Sequence, residues 1–358
     1  MPTFAPMKRN TTIFSLWALL GTLAFIGCSP DPMPDHIDLL RHFGSMPAAT
    51  LIVHPYDDVD LTQISRLKAN LHTHTRISDG KQTADEMIKL YAEKGYDIVA
   101  ITDHEKPYAK ITGMVQVAGR DVLVIQGSEI TMTHHFNSLF THHGRQNGYT
   151  IESAMRSEIT NANSVVFFNH PGRHSWFYPI SFYIDMYNKF PAENLVGMEV
   201  VNSEDEYPSD KETWHKVLTG ISPHRTVYGF ANDDAHAYAE VGFSFNEFLT
   251  DDFTEEGVRK AIVNGKSFFY SSSTVSKPTG PMPLVRNIIV NTEAMTIQVD
   301  ADHYDKIEWR SCGVVVSTQT EIAINGKEHE RGFNLGKYVQ FTLIGKGGQL
   351  FSQPFLIK

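Results

Sequence analysis

Residues 70–80 read NLHTHTRISDG and hold three side chains that could bind a metal ion. His72 and His74 are separated by one threonine, and Asp79 follows five residues after the second histidine. Side chains two residues apart on a strand point to the same face, so the two imidazoles should aim at one point. Imidazole together with carboxylate suits zinc, manganese or iron. A lone His-x-His pair can equally be exposed or packed in a core, so this stretch alone does not define a site.

Similar side chains follow most other apolar runs of the chain. Six of the seven candidate strands end, on the carboxyl side, in a His, Asp or Glu that could bind a metal. The further candidates are His104, Glu129, one of the neighbouring histidines His134, His135, His142 and His143, and then His170, Asp234 and His236. A buried glutamate is costly without a partner, which a metal would supply. Each residue alone could form a salt bridge or a cap, but their shared position predicts a metal centre.

The elements that must position these residues have the pattern of βα units. Short apolar runs alternate with amphipathic stretches from about residue 66, which predicts a parallel sheet. The seven runs are RLKANLHTH, DIVAITDH, DVLVIQGSEIT, SVVFFNHP, LVGMEVVN, TVYGFANDDAH and KSFFYSSS. TADEMIKLYAEKGY and TEEGVRKAIVNGK have helical spacing and end at Gly95 and Gly265. In parallel α/β barrels, catalytic residues lie at the C-terminal ends of strands, where the candidate ligands occur.

The two ends of the chain differ from this middle region. Residues 1–27 have a basic start and an apolar core, IFSLWALLGTLAFIG, which is typical of a secretory signal. FIGC resembles a bacterial lipoprotein cleavage box that would lipidate Cys28; an ordinary signal or a signal anchor is the alternative. Residues 28–65 are interpreted as a tether and N-terminal extension. Residues 280–358 contain short alternating runs that predict a small β-sandwich-like module.

Two properties of the whole chain narrow the chemistry. The formal net charge is -10, which argues against a broad nucleic-acid surface or an anionic-membrane surface. A bound cation could still attract a phosphate into one pocket. Cys28 and Cys312 are the two cysteines of the chain, so a metal site must use His, Asp and Glu.

The order H-x-H…D, T-D-H, G-x-E, H, N-H-P and D-x-H resembles the PHP domain, named from polymerase and histidinol phosphatase. The resemblance covers about residues 66–275 and implies a distorted seven-stranded (β/α)7 barrel, followed by the small all-β module. The segments GSEIT…HHFNSLF and ANDDAH and the C-terminal QPFLI look most like the branch with the CehA/McbA-type carbamate-insecticide hydrolases.

The resemblance also implies a ligand set for two or three divalent ions of manganese, zinc or iron. His72, His74, Glu129 and Asp234 would hold one metal, Asp79, His104 and His236 a second, and Glu129 would bridge to a third with His135 and His170. Asp103, Asp233 and Glu199 are expected to orient imidazoles, with structural hydrogen bonding as an equal alternative for the two aspartates. Metals this close can share a hydroxide whose pKa falls toward about 7 and which acts as the nucleophile.

Substrate contacts are predicted from two short segments. Arg76 lies between His74 and Asp79, and Arg173 and His174 follow NHP directly. An arginine there could bind a phosphate through two hydrogen bonds, and His174 could protonate a leaving group. Each of these residues could equally be a surface group.

Three hypotheses follow. The first is a metal-dependent phosphoesterase that acts on a small phosphate ester and is lipid-anchored at the bacterial cell envelope. The second is a metal-dependent hydrolase of a carbamate, amide or carboxylic ester, which a metal hydroxide could attack equally in principle. The third is a non-enzymatic surface lipoprotein that binds a partner through its β module.

Overall fold

The computed structural model describes residues 49–107, 111–141, 150–159, 163–272, 278–325 and 335–358. The predicted signal, Cys28 and the substitute ligands His142 and His143 lie outside these residues. In the part of the chain that is described, no helix is long and apolar enough to cross a membrane.

The fold contains α-helices and two β-sheets. The strands are β1 (Ile52–Val53), β2 (Arg66–Asn70), β3 (Ile98–Ile101), β4 (Gly113–Val117), β5 (Arg120–Thr131), β6 (His135–Leu139), β7 (Val165–Phe168), β8 (Leu195–Asn202), β9 (Tyr228–Asn232), β10 (Ser244–Leu249), β11 (Ser267–Ser271), β12 (Leu284–Asn291), β13 (Thr296–Asp302), β14 (Lys306–Ser311), β15 (Val314–Ser317), β16 (Glu321–Ala323), β17 (Tyr338–Gly345), β18 (Gly348–Phe351) and β19 (Phe355–Ile357). The helices are α1 (Ala84–Glu93), α2 (Ile151–Glu158), α3 (Ile180–Lys189), α4 (Ser209–Ile221) and α5 (Glu255–Val263), with 3₁₀ turns at Pro171–His174 and Tyr238–Glu240.

The two helices expected from their spacing are α1 and α5. Thr83 caps α1 through a capping box with Glu86, in which each side chain bonds the other residue's backbone N–H. Thr254 caps α5 by accepting a hydrogen bond from the backbone N–H of Gly257. Gly95 and Gly265 follow the two helices with positive φ, the conformation that glycine adopts at least cost. The predicted ends of both helices are therefore confirmed.

All seven predicted strands are present, as β2, β3, β5, β7, β8, β9 and β11. The ladders β2–β3–β5 and β7–β8–β9 are parallel, as expected. Two strands that the sequence did not predict lie among them: β6 is antiparallel between β5 and β7, and β10 is antiparallel between β2 and β11. The sheet runs β11-β10-β2-β3-β5-β6-β7-β8-β9 through this region and does not close into a barrel by a backbone ladder.

Two buried side-chain amides cover the edge of β9 that faces away from β8. Asn246 of β10 donates from Nδ2 to the carbonyl of Ala231, 2.8 Å, and accepts at Oδ1 from the N–H of Ala231, 3.0 Å. Gln353 pairs in the same way with the N–H and carbonyl of Gly229, at 2.9 and 2.8 Å. Each amide thus satisfies the two backbone groups that a neighbouring strand would satisfy.

The two faces of the parallel strands pack against different cores. Leu67, Ala69, Ile98 and Ala100 alternate onto one face and belong to the cluster that also contains Phe230. Because strand side chains alternate, the intervening residues of β3 point the other way and pack against α1. A further core lies between β7, β8 and the helices α2, α3 and α4. This two-sided burial fixes the strand ends that carry the candidate ligands.

The C-terminal strands do not form the separate module that the sequence suggested. Strand β18 pairs with β11, β17 pairs with β18, β19 and β14, and β1 pairs with β19, so these C-terminal strands continue the main sheet. Strands β12, β13 and β16 form a separate three-stranded sheet. Their shared core includes Phe268 and Tyr270 of β11 together with Trp309 and Phe341.

Replacing Asn246 with alanine tests whether the amide edge holds β9 in place. The side chain makes three buried hydrogen bonds, including 2.9 Å to Asn232 Oδ1, so its loss leaves buried backbone groups unpaired. We expect the free energy of unfolding to fall by about 2–4 kcal/mol, measured by urea denaturation. Asn188→Ala, at an exposed helix position, is the matched control. Equal midpoints for the two variants would contradict this role.

Candidate metal centre

The carboxylate of Glu129 lies at the centre of the candidate ligands. Glu129 is fully buried near the end of β5. Five imidazoles surround it: Oε1 lies 3.5 Å from His72 Nε2, 3.1 Å from His135 Nδ1 and 3.4 Å from His170 Nε2, and Oε2 lies 3.5 Å from His74 Nε2 and 2.8 Å from His104 Nδ1. Each oxygen therefore faces a different set of histidines, as a bridging carboxylate would.

The first group of ligands consists of His72, His74 and Asp234. The Nε2 atoms of the two histidines are 3.1 Å apart, and Asp234 Oδ1 lies 3.1 Å from the first and 2.9 Å from the second. The chain after β2 is held to the chain after β9 by the hydrogen bond from the His74 N–H to the carbonyl of Ala235, 3.0 Å. The predicted convergence of the two histidines with Asp234 is therefore present.

The second group consists of Asp79, His104 and His236, with His74 Nδ1 facing it. Asp79 Oδ2 lies 3.4 Å from His104 Nε2, and Oδ1 lies 3.4 Å from His236 Nε2 and 3.7 Å from His74 Nδ1. Gly80 permits this geometry, because a Cβ there would lie 2.6 Å from the carbonyl oxygen of His74. The glycine of SDG is thus required for the loop to fold back onto the histidine pair.

The third group consists of His135, His170 and His174, whose ring nitrogens lie within 4.8 Å of one another. The alternative ligand His134 is engaged elsewhere: Nδ1 lies 2.8 Å from the carbonyl oxygen of His135, and Nε2 lies 2.8 Å from the hydroxyl of Tyr183. With both nitrogens hydrogen-bonded, His134 has no lone pair available for a metal, and the preference for His135 agrees with the structure.

Several buried atoms of the three groups fit bound cations. His74 Nδ1 and His174 Nε2 are buried without a hydrogen-bond partner, and the buried oxygens Glu129 Oε2 and Asp234 Oδ1 have only imidazole nitrogens of the candidate ligands close to them. Buried polar atoms are rarely left unpaired, and a metal would supply the missing partner. His170 and Asp234 also hold left-handed backbone conformations, φ 28° and φ 50°. Such strain in non-glycine residues is concentrated at functional sites.

The charges in the site shift one another's pKa values. Burial alone would raise the pKa of Glu129, but the charges and hydrogen bonds of the surrounding histidines, His72 first among them, hold it well below its usual range. Burial would lower the pKa of His72, but the carboxylates of Asp234, Glu199 and Glu129 together raise it well above its usual value. Glu129 is therefore ionised at neutral pH and available as a ligand.

Glu199 holds His72 from the side opposite the ligand groups. Its Oε1 lies 2.8 Å from His72 Nδ1, and its Oε2 accepts a hydrogen bond of 2.9 Å from the N–H of His170. Since a carboxylate can only accept, this contact places a proton on Nδ1, so Nε2, which faces Asp234, is the nitrogen that a metal would bind. The predicted orienting role of Glu199 agrees with this geometry.

Asp103 and Asp233 bind loop groups rather than the imidazoles they were expected to orient. Asp103 accepts hydrogen bonds from the backbone N–H groups of Thr75 and Ser78, at 2.8 and 3.1 Å. Asp233 accepts from the N–H groups of residues 242–244, at 2.8 to 2.9 Å. They therefore fix the loops after β2 and before β10. This agrees with the other interpretation of the two aspartates, structural hydrogen bonding.

A set of buried asparagines below the ligands was missed from the sequence: Asn70, Asn137, Asn169, Asn202 and Asn232. Asn169 donates to Glu129 Oε1, 2.9 Å, and Asn202 and Asn232 donate to Glu199, at 3.0 and 2.9 Å. The sequence signal was available, because β2, β8 and β9 each end in an asparagine. An amide at a strand end can satisfy both backbone groups and carboxylates.

The predicted substrate contacts divide between two places. Arg76 is exposed, and its Nε donates to the carbonyl of Lys81, 2.7 Å, so the structure does not bring it to the ligand groups. Arg173 is exposed on the 3₁₀ turn beside the third group, where its charge contributes to lowering the pKa of His135 and His174.

The prediction that His174 protonates a leaving group is not supported. Burial and the neighbouring His170, His135 and Arg173 lower its pKa to about 3, so the imidazole is neutral at pH 7 and carries no spare proton. Its buried Nε2 has no hydrogen-bond partner and lies among the third group. These observations favour a ligand over an acid.

Comparison with known proteins agrees with this geometry. Residues 70–222 match the PHP domain family, a segment that includes every candidate ligand except Asp234 and His236. A segment of 55 residues is 38% identical to the DNA polymerase/3'-5' exonuclease PolX of Bacillus subtilis; it covers 15% of this chain and 10% of that protein. The chain thus spans only a small part of this relative's length.

Two solved structures show distant likeness. A two-domain protein from Bacteroides vulgatus that contains a predicted PHP-like metal-dependent phosphoesterase is 17% identical, with a TM-score of 0.49, over 86% of this chain and 99% of that one. A lesion-specific endonuclease from Pyrococcus furiosus is 19% identical, with a TM-score of 0.39, over 56% of each chain. The likeness of residues 70–222 to the PHP domain family, together with the His and carboxylate clusters, indicates a metal-dependent enzyme.

The substitution Glu199→Gln tests the orienting role of this carboxylate. A glutamine cannot accept all four hydrogen bonds, so the Nε2 lone pair of His72 is no longer fixed toward the first group. We expect metal affinity to fall about 10- to 100-fold, measured by competition with a chromophoric chelator. Glu158→Gln, a buried glutamate on α2, is the control. Unchanged affinity in Glu199→Gln would refute the role.

Proposed function

We propose that this protein is a metal-dependent hydrolase and, more narrowly, a phosphoesterase that acts on a small phosphate ester. The observation that carries the proposal is the convergence of all nine predicted ligands: Glu129 lies among three groups, and His74 is common to the first two. Two or three divalent ions, of manganese, zinc or iron, would fit donors of this type. This complete set also argues against the non-enzymatic hypothesis.

The chain's own residues would divide the work as follows. Glu129 and Asp234 provide the negative charge that holds cations among histidines, and Glu199 fixes the tautomer of His72. Divalent ions held there would lower the pKa of water toward about 7 and neutralise charge on substrate oxygens. His174 stays neutral and available as a ligand.

Arg173 favours a phosphate substrate over a neutral carbonyl substrate. It is exposed on the 3₁₀ turn between His170 and His174, two residues of the third group, and its charge contributes to lowering the pKa of His135 and His174. A guanidinium binds a phosphate through two charge-assisted hydrogen bonds. The net charge of -10 would repel an anionic substrate, so the positive charge of Arg173 beside the third group would help to attract a phosphate.

We further propose, from the sequence alone, that the enzyme is exported and lipid-anchored through Cys28, which would place its substrate outside the cytoplasm. The resemblance to the CehA/McbA branch is the reason to keep a carbamate, amide or carboxylic ester as the second candidate substrate.

Turnover of a panel of phosphate mono- and diesters, with manganese, zinc or iron added and metal content verified, tests the proposal. We expect turnover of at least one ester. Glu129→Gln should lower it more than about a hundredfold, beyond the range for residues that only orient ligands. Glu158→Gln, another buried glutamate, should retain it. Failure of the metal-loaded protein on every phosphate ester, with turnover of a carbamate or amide, would favour the second candidate.

Arginine substitutions discriminate between the two candidates. Arg173→Ala should lower kcat/KM for a phosphate ester about 10- to 100-fold, because a charge-assisted pair of hydrogen bonds is lost. Arg76→Ala is the matched control and should change it less than about twofold, since its Nε is engaged by the Lys81 carbonyl. If Arg173→Ala leaves turnover of a phosphate ester intact, the arginine does not bind the phosphate.

A further inference from the structure

In the described part of the chain, the exposed large aromatic side chains lie next to candidate metal ligands in the sequence. Eight large hydrophobic residues of the described chain are exposed: Leu51, Val53, Ile77, Met114, Trp176, Phe177, Tyr238 and Ile289. The three aromatic ones follow candidate ligands within two or three residues, Trp176 and Phe177 after His174 and Tyr238 after His236. Scattered exposed hydrophobics need no explanation, but this concentration at one site does.

Trp176 and Phe177 are the most exposed of the set, at 93% and 80%. Their backbone is fixed close to the third group, because the N–H groups of Phe177 and Tyr178 both donate to the carbonyl of His174, at 3.0 and 3.1 Å. Burying such a side chain removes apolar surface from water, which is favourable. Both rings are exposed next to buried candidate ligands, so they are available to bind an apolar surface.

The order of residues along this turn suggests what the rings contact. Arg173 is exposed on the 3₁₀ turn between His170 and His174 of the third group, and the aromatic pair lies two or three residues beyond His174. A cation followed by flat apolar rings complements a phosphate joined to a flat apolar group. The continuity with the ligand groups favours a substrate over an unrelated partner surface.

We infer that Trp176 and Phe177 form a platform that selects phosphate esters whose alcohol part carries a flat aromatic ring. This inference rests on the proposed phosphoesterase function. Aryl alcohols and nucleosides share the required chemistry, and a third exposed aromatic residue, Tyr238, follows His236 of the second group by two residues.

Matched substrates test the platform without a change in leaving-group chemistry. One pair is 2-phenylethyl phosphate and n-butyl phosphate, and the other is adenosine 5'-phosphate and ribose 5-phosphate. We expect wild type to prefer the aromatic member of at least one pair, and Trp176→Ala/Phe177→Ala to lower kcat/KM for that member about tenfold, mainly through KM. The non-aromatic member should change less than about twofold. The pair that responds identifies the aryl or the nucleoside class.

Ile289→Ala is the control, since it removes an exposed apolar side chain from β12. Equal losses on both members of each pair, or no loss on either, would overturn the inference. If the metal-loaded enzyme turns over no phosphate ester, the proposed function fails, and a binding measurement then decides the platform separately.

Fluorescence supplies this binding measurement. Of the four tryptophans, Trp214 and Trp309 are buried, so the difference between wild type and Trp176→Phe isolates the emission of Trp176. Phenylphosphonate, but not methylphosphonate, should protect Trp176 from iodide quenching.

Where neither phosphonate binds, protection by an uncharged aryl carbamate would still support an aromatic platform, and its absence would overturn it. Quenching by brominated phosphatidylcholine vesicles without protection by any aryl ligand would identify a membrane contact and also overturn it.

Discussion

The structure around the site depends on one buried carboxylate. Glu129 has no access to water, and an ionised carboxylate in such a place is stable only when positive charge or hydrogen-bond donors surround it. Five imidazoles and the amide of Asn169 provide this surrounding. These residues come from segments that are far apart in the chain. Because the Glu129 carboxylate needs all of them around it, it constrains how five strands meet: β2, β3, β5, β6 and β7.

Side-chain amides satisfy buried backbone groups in the same way as they satisfy the buried carboxylate. No strand forms a backbone ladder with the edge of β9 that faces away from β8, and Asn246 and Gln353 pair with its buried N–H and carbonyl groups instead. Asn232, at the end of that strand, accepts from Asn246 and donates to Glu199, which holds His72. A continuous chain of hydrogen bonds therefore links the open edge of the sheet to the first ligand group. Fully satisfied networks of this kind rigidify the geometry that they support.

Local patterns in the sequence predicted local features well, and the failures were nonlocal. The capped helices and the seven strands could be predicted because capping residues and apolar runs are read within a short window. Strand β6 was missed because HFNSL is short and polar and becomes a strand by pairing with β5 and β7. The direction of Arg76 depends on a carbonyl of its own loop, and the low pKa of His174 depends on burial among residues from other strands. The continuity of the C-terminal strands with β11 likewise needs pairing that no local pattern shows.

Protons and metal ions compete for this site. Without a cation, the carboxylates of Asp234, Glu199 and Glu129 raise the pKa of His72, so a proton on its imidazole balances part of their charge. This contribution to stability is complete below the unfolded pKa of histidine, about 6.5, and is lost as the pH rises through the higher folded value. A metal must displace that proton, so its affinity rises over the same range in which the proton's contribution is lost. The same carboxylates therefore stabilise the fold with a protonated His72 at low pH and would bind a cation more tightly as the pH rises.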